Sequence, residues 1–113
     1  MHEMSIAQSI ISIVDETLER EQYQVLREVV VEIGELVAVV PESLEFCYKA
    51  ITEKTKYQDS KLIINILPLM GRCRNCDAMS QVERFNFVCQ KCQGRDLDII
   101  QGQELNISHL EVD

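Results

Sequence analysis

Two cysteine pairs, Cys73-Arg74-Asn75-Cys76 and Cys89-Gln90-Lys91-Cys92, stand twelve residues apart and limit what this part of the chain can fold into. A C-x-x-C pair can grip one metal ion from a tight turn. A second pair completes a tetrahedral shell of four sulfurs. Soft sulfur ligands in that geometry select Zn2+, or less often iron. A closed shell leaves no open coordination position, so the pattern predicts an ion that staples the fold and does no chemistry. Two disulfides are the competing reading. The opening Met1-His2-Glu3-Met4 has no basic stretch of an export signal, and nothing else points to an oxidising compartment. The metal reading is therefore preferred.

The rest of the chain asks for more than a metal knot. With 113 residues, 46% of them hydrophobic, it can build one compact core carrying a small insertion. No apolar run approaches the roughly 20 residues that span a bilayer, so no membrane association and a cytoplasmic location are expected. Charge is unevenly placed. Residues 71–95 hold five basic and two acidic side chains, a balance of +3, and the remainder holds six against seventeen, or −11, giving the total of −8. The arginines around the knot can offset four thiolates on one Zn2+, which carry about −2. An acidic chain is a poor binder of phosphate backbones, so no nucleic-acid partner is expected.

Local patterns give the outer core. Residues 5–22 predict an amphipathic helix with Ala7, Ile10, Ile11, Val14 and Leu18 on one face. Ser5 and Gln8 fit a capping box, which would leave residues 1–4 free of the helix. Residues 25–40 are dense in β-branched side chains and predict a strand, with Gly34 at a bulge or a close approach. Pro41 suits the first position of a second helix, with Leu44, Cys47, Tyr48 and Ile51 as its apolar stripe. Residues 61–69 predict another strand, ended by Pro68. Residues 97–100 and 104–112 predict two more, with a change of apolar parity that suggests a bulge near His109. The result is an α+β fold: a small mixed sheet with two helices, plus an inserted four-cysteine zinc-ribbon domain. The expected boundaries are 1–69 with 97–113 for the sheet domain and 70–96 for the insertion. Cys47 reads as a buried inert thiol and His109 as a structural or surface histidine.

Met1-His2-Glu3-Met4-Ser5 opening a helix, Pro41-Glu42-Ser43-Leu44 in mid-chain and C-x2-C-x12-C-x2-C near the end together resemble the HypA/HybF family. Those are the nickel-incorporation accessory proteins of [NiFe]-hydrogenase maturation, and the resemblance covers essentially the whole chain. It implies a nickel metallochaperone whose sheet domain carries nickel at Met1, His2 and Glu3, with structural zinc on Cys73, Cys76, Cys89 and Cys92. The partners it implies are the nickel GTPase HypB and the hydrogenase large-subunit precursor. In some members a histidine flanks the cysteine pairs and makes zinc coordination respond to pH. Here the flanking residues are Arg72, Asp77, Val88 and Gln93, so that behaviour is not implied.

The N-terminal chemistry also stands by itself. The Met1 amine, the His2 amide nitrogen and the His2 imidazole form fused five- and six-membered chelate rings. Three nitrogens in one plane suit Ni(II) and Cu(II). Glu3, water or a partner's ligand can fill the fourth position, which a carrier must be able to give up. No Ser/His/Asp or Cys/His catalytic set and no P-loop is present, so no enzyme is expected. Two other functions compete: a zinc-ribbon interaction module of the transcription or translation machinery, and a rubredoxin-like electron carrier with iron on the four sulfurs. A hinge is expected where two chain segments join the knot to the sheet, at about 69–71 and 95–97. It would allow a homodimer by domain swapping.

Overall fold

The computed structural model describes residues 2–113. The elements run α1 (Glu3–Glu21), β1 (Leu26–Gly34), a 3-10 turn (Glu35–Val37), α2 (Pro41–Thr52), β2 (Lys61–Leu67), β3 (Met70–Cys73), β4 (Met79–Gln81), β5 (Leu97–Gln101) and β6 (Leu105–Val112). They form two three-stranded sheets, ordered β2-β1-β6 and β4-β3-β5. The α+β class and the two helices follow the expectation. No helix among the described residues is long and apolar enough to cross a membrane.

The residues group into two compact units. One holds the chain up to Val31, Val39–Asn65 and Asn106–Asp113; the other holds Glu32–Ala38 and Ile66–Leu105.

In the first unit α1 packs on α2. The face of α1 that is buried comprises Ile6, Ala7, Ile10, Val14 and Leu18. α2 starts at Pro41, whose fixed φ suits the first helical position and whose missing N–H costs nothing there. It buries Leu44, Tyr48 and Thr52, while Cys47 is only half-buried. Thr52 satisfies its hydroxyl on the Tyr48 carbonyl, 2.8 Å away. β1 is the central strand, and Val29, Val30 and Val31 are all buried. Two tyrosines close the unit: Tyr48 lies 2.6 Å from the Ser60 hydroxyl, and Tyr57 donates to the Asp15 carboxylate.

β1 and β6 run antiparallel. Val25 and Asp113 exchange backbone bonds of 3.1 and 2.9 Å at one end, and the Gly34 N–H donates to the Glu104 carbonyl (2.8 Å) at the other. The register is the same at both ends, so no net residue is inserted near His109. Leu105 is 45% exposed, while Ile107, Leu110 and Val112 are each half-buried, so the apolar positions of β6 do not mark one buried face.

The second unit carries the cysteines and is larger than an insertion over residues 70–96. β3 pairs antiparallel with β4 and with β5, so Leu97–Gln101 belongs to this sheet and does not return to β1. The stretch after β1 joins it as well. The strand predicted over 25–40 ends at Gly34, and a 3-10 turn follows, closed by Ala38 at φ 60°. Leu36 donates to the Gly102 carbonyl (2.8 Å). The two backbones come so close that a Cβ on Gly34 would sit 2.0 Å from the Gly102 carbonyl carbon. The close approach read from Gly34 is thus real, and its partner is the second glycine, which sits at φ 122°.

Candidate metal centres

The two cysteine pairs fold as near copies of one knuckle. In the first, the Cys73 N–H donates to the Ala78 carbonyl (2.9 Å) and the Asp77 N–H donates back to the Cys73 carbonyl (2.9 Å). In the second, the Cys89 N–H donates to the Gly94 carbonyl (2.8 Å) and the Gln93 N–H to the Cys89 carbonyl (2.9 Å). The residue after each second cysteine turns left-handed, Asp77 at φ 60° and Gln93 at φ 65°. That bend folds each pair back so that both sulfurs face one point. β3 supplies Cys73 directly, and the Arg74 guanidinium is tied to Asp98 just inside β5 (2.6 Å), so the sheet fixes the base of the first knuckle.

The four Sγ atoms all lie within 4.8 Å of one another. The closest pairs run between the knuckles, Cys73–Cys92 at 3.5 Å and Cys76–Cys89 at 3.6 Å. Tetrahedral zinc with Zn–S bonds of about 2.3 Å needs sulfurs about 3.8 Å apart, so the donor set fits that ion. Backbone amides point at the sulfurs too: Asn75 N–H to Cys73 and Cys92 N–H to Cys89, each 3.4 Å. Such donors stabilise thiolate over thiol. The N–H groups of Cys92 and then Lys91 pull the Cys89 thiol down to about 6. Cys92 feels a lowering contact from the Gly94 N–H, but the Cys73 sulfur, desolvation and the other two thiols push it up to about 12. Four sulfurs this close cannot all ionise unaided, and a bound cation is what would replace their protons.

Gly94 is part of this centre and was not singled out from the sequence. A Cβ there would lie 2.9 Å from Asn75 Nδ2 and 3.2 Å from Cys92 Sγ. The visible signal is a glycine two places after the last cysteine, where the chain must pass the cluster.

The N-terminal residues are placed differently from expectation. No side-chain bond caps α1, so the Ser5–Gln8 box does not form, and the helix begins at Glu3. The first turn is drawn in because Ile6 and Ala7 are buried. His2 is the residue before the helix, with its carbonyl accepting the Ile6 N–H (3.3 Å) and its ring exposed. Glu3 sits in the first turn, and its Oε2 is 3.5 Å from the Val40 N–H. The first amides of a helix have no partner within it, so the backbone nitrogens here are not committed to the helix ladder. Met1, the remaining predicted donor, lies outside the described residues. His109 is remote in sequence and engaged locally, 3.3 Å from the Ser108 hydroxyl and 3.7 Å from Glu111.

Comparison with known proteins covers the whole chain. Residues 1–112 match the family described as hydrogenase/urease nickel incorporation, metallochaperone, hypA. The chain is 39% identical to a hydrogenase maturation factor of Trichodesmium erythraeum, over all of this chain and 96% of that one. It is 37% identical to a hydrogenase maturation factor of Geobacter sulfurreducens, over the full length of both. Among solved structures, the nickel metallochaperone of Helicobacter pylori in solution aligns with a TM-score of 0.68 at 27% identity, over 99% of this chain and 97% of that one.

Proposed function

Because this chain belongs to the HypA family of hydrogenase/urease nickel-incorporation metallochaperones, we propose that it carries Ni(II) on Met1, His2 and Glu3 and hands it on for [NiFe]-hydrogenase maturation. The observation that carries this reading is the exposed His2 at the start of a helix anchored in the core, within a family match that spans the chain. The amine, amide and imidazole nitrogens give a planar chelate suited to the ion. Glu3 offers the exchangeable fourth donor. Its carboxylate is 3.5 Å from the Val40 N–H, a weak contact that it could give up to the metal.

Zinc on Cys73, Cys76, Cys89 and Cys92 is structural on this reading, because four sulfurs close the shell. The protein binds and transfers and catalyses nothing. Its partners are the nickel GTPase HypB and the hydrogenase large-subunit precursor, met in the cytoplasm.

Titration calorimetry with nickel tests the donor set. Protein with a free Met1 amine should bind one ion tightly. An extension before Met1, which turns the amine into an amide, and His2→Ala should each abolish that binding while zinc content stays unchanged. The His2 side chain makes no capping bond, so His2→Ala should also leave the melting temperature unmoved. His109→Ala should bind normally. Full nickel affinity in the extended protein would exclude the amine as a ligand.

A further inference from the structure

Between β4 and Cys89 the chain makes a tight turn that carries the most exposed aromatic residue among the described residues. Phe85 is 94% exposed, at the tip of a turn closed by a bridge between Glu83 and Asn86. The Asn86 N–H donates to the Glu83 carbonyl at 3.1 Å. Single exposed apolar residues are common on surfaces. Three observations separate this one from that background.

The tip is held on both sides. Val82, just before it, is 2% exposed and donates its N–H to the Leu69 carbonyl (2.9 Å). Gln90, just after it, reaches back to the Gln81 carbonyl at 2.7 Å. A partner would therefore not have to order the loop, which is a main cost of binding. Second, Phe85 is not alone: Phe87 is 36% exposed two residues on. Third, the Arg84 guanidinium lies 5.5 Å from the centre of the Phe85 ring and, among the described residues, makes no ion pair. Lys91 and Arg95 in the same segment make none either. Glu83 is the acidic side chain of the loop. The rest of the chain is strongly acidic, so this segment is where an acidic surface can approach without repulsion.

We propose that the Arg84-Phe85 turn is a docking tip, which inserts Phe85 into an apolar socket with an acidic rim on a partner protein. A phenylalanine seated in a desolvated pocket beside an arginine has the composition of a binding hot spot. A socket rim needs to meet only the basic segment, whereas an extended anionic bilayer would also act on the acidic remainder of the −8 chain, so a bilayer is the poorer fit. Resting on the proposed function, the partner assigned to the tip is the protein that receives the metal.

Binding of the full-length, zinc-loaded chain to its purified hydrogenase large-subunit precursor, followed by surface plasmon resonance at several salt concentrations, tests this. Phe85→Ser should weaken binding about 10- to 50-fold, mainly through faster dissociation, and Phe85→Leu should recover most of the loss. Arg84→Glu should slow association and reduce its salt dependence. Zinc content and nickel titration should be unchanged in all three, since neither Arg84 nor Phe85 is among the proposed metal ligands and Phe85 is 94% exposed. Equal binding by Phe85→Ser overturns the docking tip and leaves the carrier reading intact. No binding by the unmodified chain overturns both the tip and the choice of partner, while the nickel titration still judges the carrier independently. A Phe85-dependent dimer in light scattering, or Phe85-dependent sedimentation with phosphatidylserine vesicles, also overturns it.

Discussion

The two units of this molecule differ in how much apolar surface they bury. The first buries a run of side chains from both helices and the central strand, including Val14, Leu18, Val29, Val31, Leu44 and Tyr48. Each fully buried aliphatic is worth about 1.5–3 kcal/mol, so the unit has a core in the ordinary sense. The second buries, among the described residues, Ile33, Leu69 and Val82 besides Cys73 and Cys89. That is too little apolar surface to offset the ordering of its loops. If an ion on the four sulfurs makes up that shortfall, the first unit rests on packing and the second on coordination, and the two should fail under different treatments.

The largest effect is expected from denying the four sulfurs an ion. Chelation of zinc, or Cys76→Ser or Cys92→Ser, should cost the cysteine-bearing unit on the order of 10 kcal/mol and unfold β3, β4 and β5. Amide NMR signals from α1, α2 and β1 should survive. Loss of both sets at the same chelator concentration would show that the first unit also depends on the ion.

The converse experiment is smaller in effect. Leu18→Ala and Leu44→Ala empty positions that are 1% and 0% exposed, and each should cost about 3 kcal/mol in urea unfolding. Zinc stoichiometry in native buffer should not change. Zinc loss in step with either substitution would mean that the core supports the knuckles.

A finer test acts on the shell around the sulfurs. Gly94→Ala would press a Cβ against Asn75 and Cys92, and zinc affinity measured by chelator competition should fall about tenfold. Unchanged affinity would mean that the second knuckle shifts freely. The smallest effect is a gain. Gln93 sits at φ 65°, a conformation that costs most L-residues about 1 kcal/mol and glycine almost nothing. Gln93→Gly should therefore stabilise the second unit against heat by about that amount, with no change in the first.

Much of the first unit was legible because its signals are local and periodic. The stripe on α1 and Pro41 at the start of α2 each state a helix in a few residues. The start of α1 was misread because Ser5 and Gln8 fit a capping pattern, while burial of Ile6 carries the helix back to Glu3. Tertiary packing outweighed a local cap. The four cysteines were legible from spacing alone, since sulfur ligation needs only two tight turns. What sequence did not reveal is which sheet Leu97–Gln101 joins. Its alternation suits either sheet, and the choice is made by pairing with β3, a long-range event with no local sign. Gly94 escaped for the same reason: its need for a missing side chain appears only when Asn75 and Cys92 are beside it.

One asymmetry in the knuckles bears on time rather than on affinity. In each pair the first sulfur is buried and the second is open: Cys73 and Cys89 lie inside, Cys76 and Cys92 outside. A thiol or chelator arriving from solvent meets the outer two first. The ion would then stay tethered to the inner sulfurs while the outer bonds break and re-form, so most attacks end in recapture. Exchange of an ion held by this cluster should be slow and stepwise, with a half-life set by how often both outer sulfurs are open at once.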